Sequence, residues 1–84
     1  MYHLKIIPQA EKDLDKIPRQ SFAKIRNTIL NLGKNPRPHG AVKLTEVEGY
    51  RVRFGDYRIL YRIDDGAKII YIYRVRHRKD VYRQ

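Results

Sequence analysis

Arg51, Arg53 and Arg58 stand in a pattern suited to gripping a phosphate. Tyr50, Val52 and Phe54 alternate with two of these arginines, and Tyr57, Ile59, Tyr61 and Ile63 continue the alternation beyond them. A period of two is the mark of half-buried strands. Between the runs lies Gly55-Asp56, with glycine first, as a two-residue type II′ hairpin turn requires. That turn sets Phe54 opposite Tyr57 and Arg53 opposite Arg58, with Arg51 one pleat along on the same face. Like charges directly opposite one another destabilise a strand pair. An anion bound between the guanidiniums removes the repulsion, and arginine matches phosphate bidentately. A solvated face explains a lone strand arginine well. Three on one face, two of them directly opposed, favour the anion.

The whole chain agrees with a polyanionic partner. Its 84 residues carry 19 Lys+Arg against 9 Asp+Glu, a net charge of +10. Residues 50–84 hold ten of the basic residues against four acids, and eight of the eleven arginines. With 42% hydrophobic residues the chain has the material for one small core rather than a disordered basic tail. No cysteine is present, which excludes a disulfide scaffold, a Cys-ligated zinc and a thiol nucleophile. The apolar runs are too short to span a membrane, and the N-terminus lacks the order of a signal peptide. A cytoplasmic protein is expected.

The elements that must position the arginines follow from periodicity and breakers. Tyr2, Leu4 and Ile6 alternate as a strand. Pro8 suits the first turn of a helix, and Ala10, Leu14 and Ile17 recur at helical spacing until Pro18. A second helix follows from about Arg19, with Phe22, Ile25, Ile29 and Leu32 in one apolar stripe and Gly33 as a C-terminal stop. Residues 34–40 read as loop, and Val42-Lys43-Leu44 as a short extended piece. After the arginine hairpin, Asp64-Asp65-Gly66 marks a second turn. Its loop admits two, three or four residues, and the register of Arg74 and Arg76 depends on which. Ile69 to Val75 suits an interior strand buried on both faces. The predicted fold is α+β, in the order β-α-α-β-β-β: an antiparallel sheet of about four strands with an N-terminal helical hairpin packed on one face. Residues 1–84 form a single domain.

On these residues the chain resembles the RelE/ParE toxin superfamily, closest to its RelE branch. The resemblance rests on Tyr50-Arg51-Val52-Arg53-Phe54-Gly55-Asp56-Tyr57-Arg58-Ile59-Leu60-Tyr61 and on Val75-Arg76-His77-Arg78-Lys79-Asp80-Val81-Tyr82. Lys12-Asp13-Leu14, Asn35-Pro36 and Lys43-Leu44 support it upstream, so it covers almost the whole chain. It implies a toxin of a type II toxin–antitoxin system. Such a toxin enters the ribosomal A site and cuts mRNA there, without metal or cofactor, by attack of a ribose 2′-OH on the neighbouring phosphate. Carried over by position, the catalytic set is Arg51, Arg53 and Arg58 on the sheet, Arg78 beyond it, and Tyr82 as a stacking platform for a base. Arg62, Arg74, Arg76, Lys79 and Arg83 would contact RNA around them.

Two sheet positions that are Lys in the familiar RelE pattern are Arg51 and Arg53 here. Guanidinium is effectively never deprotonated, so the general base must lie elsewhere. His77 is the natural substitute, because imidazole titrates in the useful range; it reads equally well as a packing histidine. His3 and His39 read as ordinary strand and loop residues. Tyr50, Tyr57, Tyr61, Tyr71 and Tyr73 read as core or sheet-face aromatics. The implied partners are the ribosome, mRNA and an acidic RelB-like antitoxin, encoded alongside, that wraps the toxin in a hetero-oligomer. Two other functions compete. One is inhibition of DNA gyrase, the activity of the ParE branch. The other is a non-catalytic basic module that coats ribosomal RNA.

Overall fold

A computed structural model of the chain describes residues 1–81. The chain opens with β1 (His3–Ile6), then α1 (Pro8–Asp15) and α2 (Arg19–Lys34). Pro8 takes the first helical position of α1, where its missing N–H costs nothing. Pro18 then separates the helices and precedes α2 directly. The strands β2 (Val42–Lys43), β3 (Tyr50–Phe54), β4 (Tyr57–Asp64) and β5 (Ile69–His77) follow, and a single turn, α3 (Arg78–Val81), closes the described chain. Among the described residues no helix is long and apolar enough to cross a membrane.

The sheet has five strands in the order β1-β5-β4-β3-β2. The predicted α+β class and helical hairpin are present, but the sheet is mixed rather than antiparallel. β5 returns between β4 and β1, antiparallel to the first and parallel to the second. The meander β3-β4-β5 fixes that direction, because each tight turn reverses the chain. The short extended piece at Val42 is real and forms the far edge strand.

One apolar cluster joins both helices to one face of the sheet. It contains Ala10 from α1, Ile25, Ile29 and Leu32 from α2, and Val52, Ile59, Tyr61, Ile70, Ile72 and Val75 from the sheet. Phe22, predicted in the α2 stripe, sits at its rim and is 39% exposed. β5 occupies the interior position expected of it, yet only its helix side is fully buried; Tyr71 and Tyr73 on the open side are half-buried.

Gly33 does not stop α2, which continues to Lys34. Its role is close approach. A Cβ there would lie 3.2 Å from the Tyr2 carbonyl oxygen, and the Gly33 carbonyl accepts the Tyr2 N–H at 2.9 Å. The end of α2 is thereby sewn to the start of β1.

The helix–sheet contact contains one buried charge. β1 pairs with β5 only as far as Ile72. Beyond that point α1 covers the β5 edge, and the Asp13 carboxylate takes the place of a strand. It accepts the Val75 N–H at 2.9 Å and the Arg74 guanidinium at 2.8 and 3.3 Å. Burial pushes the Asp13 carboxyl up. Hydrogen bonds from Arg74 and the Val75 N–H, with the Arg74 charge, outweigh it and leave the group below its ordinary value.

Candidate functional site

The arginine hairpin forms as its turn chemistry requires. Arg53 lies directly opposite Arg58, and Phe54 opposite Tyr57. Gly55 adopts φ 56°, a positive value that favours glycine. The second hairpin has a four-residue loop between Asp64 and Ile69. Its Asp64 carboxylate accepts the Ala67 N–H at 2.9 Å, and Lys68 takes a left-handed φ of 59°. A register shift between Leu60 and Tyr61 leaves Tyr73 as the extra residue on β5 and brings Arg76 opposite Arg58. Arg53, Arg58 and Arg76 thus form one row across three strands of the open face.

At the hairpin end of that row is a concavity of about 250 Å³ lined by Arg53, Gly55, Asp56, Arg58 and Arg78. Arg78 comes from the start of α3 and is held by the hairpin turn itself. Its N–H donates to the Asp56 carbonyl at 2.7 Å, and its guanidinium lies 3.7 Å from the Asp56 carboxylate. Asp56 is a site residue that sequence reasoning took only for a turn former. Nothing in its spacing shows that β5 will end beside it.

Arg51 lies one pleat away, outside the concavity. Burial lowers its pKa, and repulsion from Arg53 and Arg58 lowers it further. It remains a cation, and it registers the positive field of the pair. Three preorganised guanidiniums around one concavity, with a single carboxylate steering one of them, can seat a phosphate. They can also take up charge that develops on its oxygens.

The remaining residues predicted for the site are spread more widely. His77 pairs in register with Tyr57, its ring edge-on to that tyrosine at 5.0 Å. Ile59 and Val75, the next aligned pair but one, are core residues, so His77 faces the helix side. It borders a separate groove of about 500 Å³ with Gln9, Lys16 and Tyr57. Its Nδ1 accepts the Lys79 N–H at 3.1 Å. The structure therefore does not bring His77 into the arginine cleft. Arg74 is engaged by Asp13, as described. Arg62 rests over the Tyr71 ring at 5.2 Å. Lys79 is exposed at the start of α3. Tyr82 and Arg83 lie outside the described residues.

Fold and cleft together define a small basic domain that presents arginines to an anion from the open face of a mixed sheet. The family model described as "ParE toxin of type II toxin-antitoxin system, parDE" matches residues 4–82. Toxin RelG of Mycobacterium tuberculosis is 35% identical over 99% of this chain and 98% of its own length. Toxin RelE of the same organism is 33% identical over 98% of this chain and 87% of its own. The crystal structure of the toxin–antitoxin complex RelBE2 from M. tuberculosis contains a chain that superposes with a TM-score of 0.80 at 33% identity, covering 90% of this chain and 96% of that one. The protein belongs to this family of type II toxin–antitoxin toxins and is a RelE-like member of it.

Proposed function

We propose that the protein is a ribosome-dependent mRNA endoribonuclease that cleaves the message in the A site, without metal, and so halts translation. The observation that carries this reading is the convergence of Arg53, Arg58 and Arg78 on one concavity of about 250 Å³. In the reaction the ribose 2′-oxygen attacks phosphorus and the bond to the 5′-oxygen breaks. The products are a 2′,3′-cyclic phosphate and a 5′-hydroxyl; one proton leaves the 2′-oxygen and one reaches the 5′-oxygen. The guanidiniums neutralise the phosphorane-like transition state, and each such donor contributes roughly 3–4 kcal/mol. Arg51 and the row residue Arg76 supply further field. Tyr82 stacks a base, and His77 serves proton transfer only once the end of β5 unpairs from Tyr57 and turns it from the helix side toward the cleft. The ribosome orients the phosphate, so free RNA is a poor substrate.

A RelB-like antitoxin is the proposed partner, acting in the cytoplasm. The structural relative from M. tuberculosis was solved as a toxin–antitoxin complex, and a +10 chain suits an acidic wrapping partner. Expression of the toxin alone should arrest translation, and primer extension should map cuts inside codons of translated messages. Arrest with intact messages would overturn the proposal. The matching family model is described as a ParE toxin, and the second reading is the activity that the resemblance to the ParE branch implies, inhibition of DNA gyrase. Loss of supercoiling activity with purified protein would establish that reading instead.

A further inference from the structure

A second organised patch lies on the open face, at the end of the sheet away from the arginine cleft. Lys5, Tyr71 and Arg62 form one row across β1, β5 and β4. The Lys5 ammonium lies 6.0 Å and the Arg62 guanidinium 5.2 Å from the centre of the Tyr71 ring. Beside them is a concavity of about 320 Å³, lined by Glu48, Arg62, Ile63, Asp64, Asp65 and Tyr71. Two of its three carboxylates are committed to the fold. Asp64 accepts the Ala67 N–H, and Asp65 is bound by Arg37 and Tyr2. Glu48 has no hydrogen bond or ion pair among the described residues. Its backbone is nevertheless fixed. Gly49 adopts φ +127°, a Cβ there would lie 2.6 Å from the Tyr61 carbonyl oxygen, and its own carbonyl accepts the Leu44 N–H at 2.9 Å.

Carboxylates on the wall disfavour a phosphate inside this concavity. An aromatic floor with a guanidinium laid against it favours a flat base, because unstacked RNA bases stack on both. A free carboxylate at the wall favours a base that presents adjacent N–H donors, and guanine offers two to one carboxylate. Lys5 and Arg62 at the rim suit the backbone phosphates on either side.

We propose that Tyr71, Arg62 and Glu48 form a nucleobase subsite selective for guanine. It would hold an unstacked base of the same message strand whose phosphate lies in the Arg53–Arg58–Arg78 cleft. Arg58 and Arg62 are four residues apart on β4, about 13 Å at strand rise, a span of a few nucleotides. This deepens the endoribonuclease reading and rests on it for the identity of the strand.

The first test uses free protein and labelled single-stranded RNA, either all uridine or uridine with one guanine, and needs no cleavage. The guanine-containing strand should bind several-fold more tightly. Glu48→Gln should remove that preference while binding the uridine strand at least as tightly as the wild type, since a carboxylate repels the backbone phosphates. Tyr71→Leu should weaken both strands about tenfold, as loss of one base stack does. Arg58→Gln should weaken both while keeping the preference. A guanine preference that survives both Glu48→Gln and Tyr71→Leu, or no preference in the wild type, overturns the subsite. A protein that never cleaves but shows this pattern retains the subsite and loses only the nuclease reading. The second test separates message from ribosomal RNA, which carries the same chemistry. In mapped cleavage sites, guanine should be enriched at a fixed offset from the cut, and Glu48→Gln should erase the enrichment. An unchanged cleavage map with weaker ribosome binding in Glu48→Gln overturns the assignment to the message.

Discussion

Replacing Arg58 by Gln should stabilise the fold and disable the toxin. Arg58 has Arg53 opposite it on β3 and Arg76 opposite it on β5. Two unit charges about 7 Å apart in water repel by about 0.6 kcal/mol, which is the cost set by the directly opposed Arg53. Asp56 is matched by Arg78 in the same cleft, so neutralising Arg58 should gain about 0.5 kcal/mol. The figure lies inside the range of about 0.2–1 kcal/mol for a directly opposed charge pair. Gln keeps much of the stem, so little packing is lost. Urea denaturation should show the gain at low salt. It should vanish at molar salt, where the Debye length falls to about 3 Å. Cleavage of translated message should meanwhile fall by about 10²–10³, the effect of removing one preorganised donor. A variant that is less stable at low salt would refute the claim that the pair is held against its own repulsion. A variant that cuts at the wild-type rate would refute the claim that function holds it there.

Further substitutions probe the parts that place the cleft. Asp13→Asn leaves Arg74 and the Val75 N–H short of their acceptor and should cost about 2–3 kcal/mol in chemical denaturation. A one-third exposed Arg74 side chain keeps the figure below the usual loss for breaking a fully buried pair. Because the folded-state pKa of Asp13 is lowered, its contribution is complete above the unfolded value of about 3.9 and is lost as pH falls through the folded one. Wild-type stability should therefore drop below about pH 4 by more than that of Asp13→Asn. Asp56→Asn keeps the carbonyl that anchors Arg78 but removes the carboxylate that aims it, so cleavage should fall about tenfold with an unchanged melting temperature; unaltered turnover would remove Asp56 from the site. Gly49→Ala forces a Cβ against the Tyr61 carbonyl at a φ that L-residues avoid, and should destabilise by about 2 kcal/mol or more. Gly55→Ala, at φ 56° with open space around it, should cost only about 1 kcal/mol.

The arginine hairpin was legible because a two-residue turn leaves no freedom of register. Once Gly55-Asp56 was recognised, Arg53 had to meet Arg58, and the structure pairs them. The helical hairpin was legible for a similar reason, since Pro8 and Pro18 mark where helices begin. What was hidden depends on contacts distant in sequence. Nothing local to Met1–Ile7 says that β1 will lie parallel to β5. Nothing local to Asp13 says that its carboxylate will finish the edge that β1 leaves open. Gly33 followed the rule for helix ends but was fixed instead by the approach of Tyr2.

The second hairpin is the instructive case, because a faint trace of its irregularity was present. Ile70, Ile72 and Val75 all bury on the helix side, yet they are spaced two and then three apart. A regular strand cannot do that, since each residue alternates sides. The spacing demands one extra residue between Ile72 and Val75, and the register shift that makes Tyr73 the odd residue supplies it. Without the bulge the Asp64–Ile69 register would continue unchanged and set Val75 opposite Arg58. With it, Arg76 turns to the open face and extends the Arg53–Arg58 pair to a third strand, while His77 turns to the helix side against Tyr57. One inserted residue thus decides which basic group joins the row beside the cleft. Deleting Tyr73 removes the odd residue and should leave Val75 opposite Ile59 and Arg76 opposite Arg58 in unbroken register, so the core and the cleavage activity should survive the shortening. If the shortened protein stayed folded but lost its cleavage, the register beyond Tyr73 would not be what assembles the site.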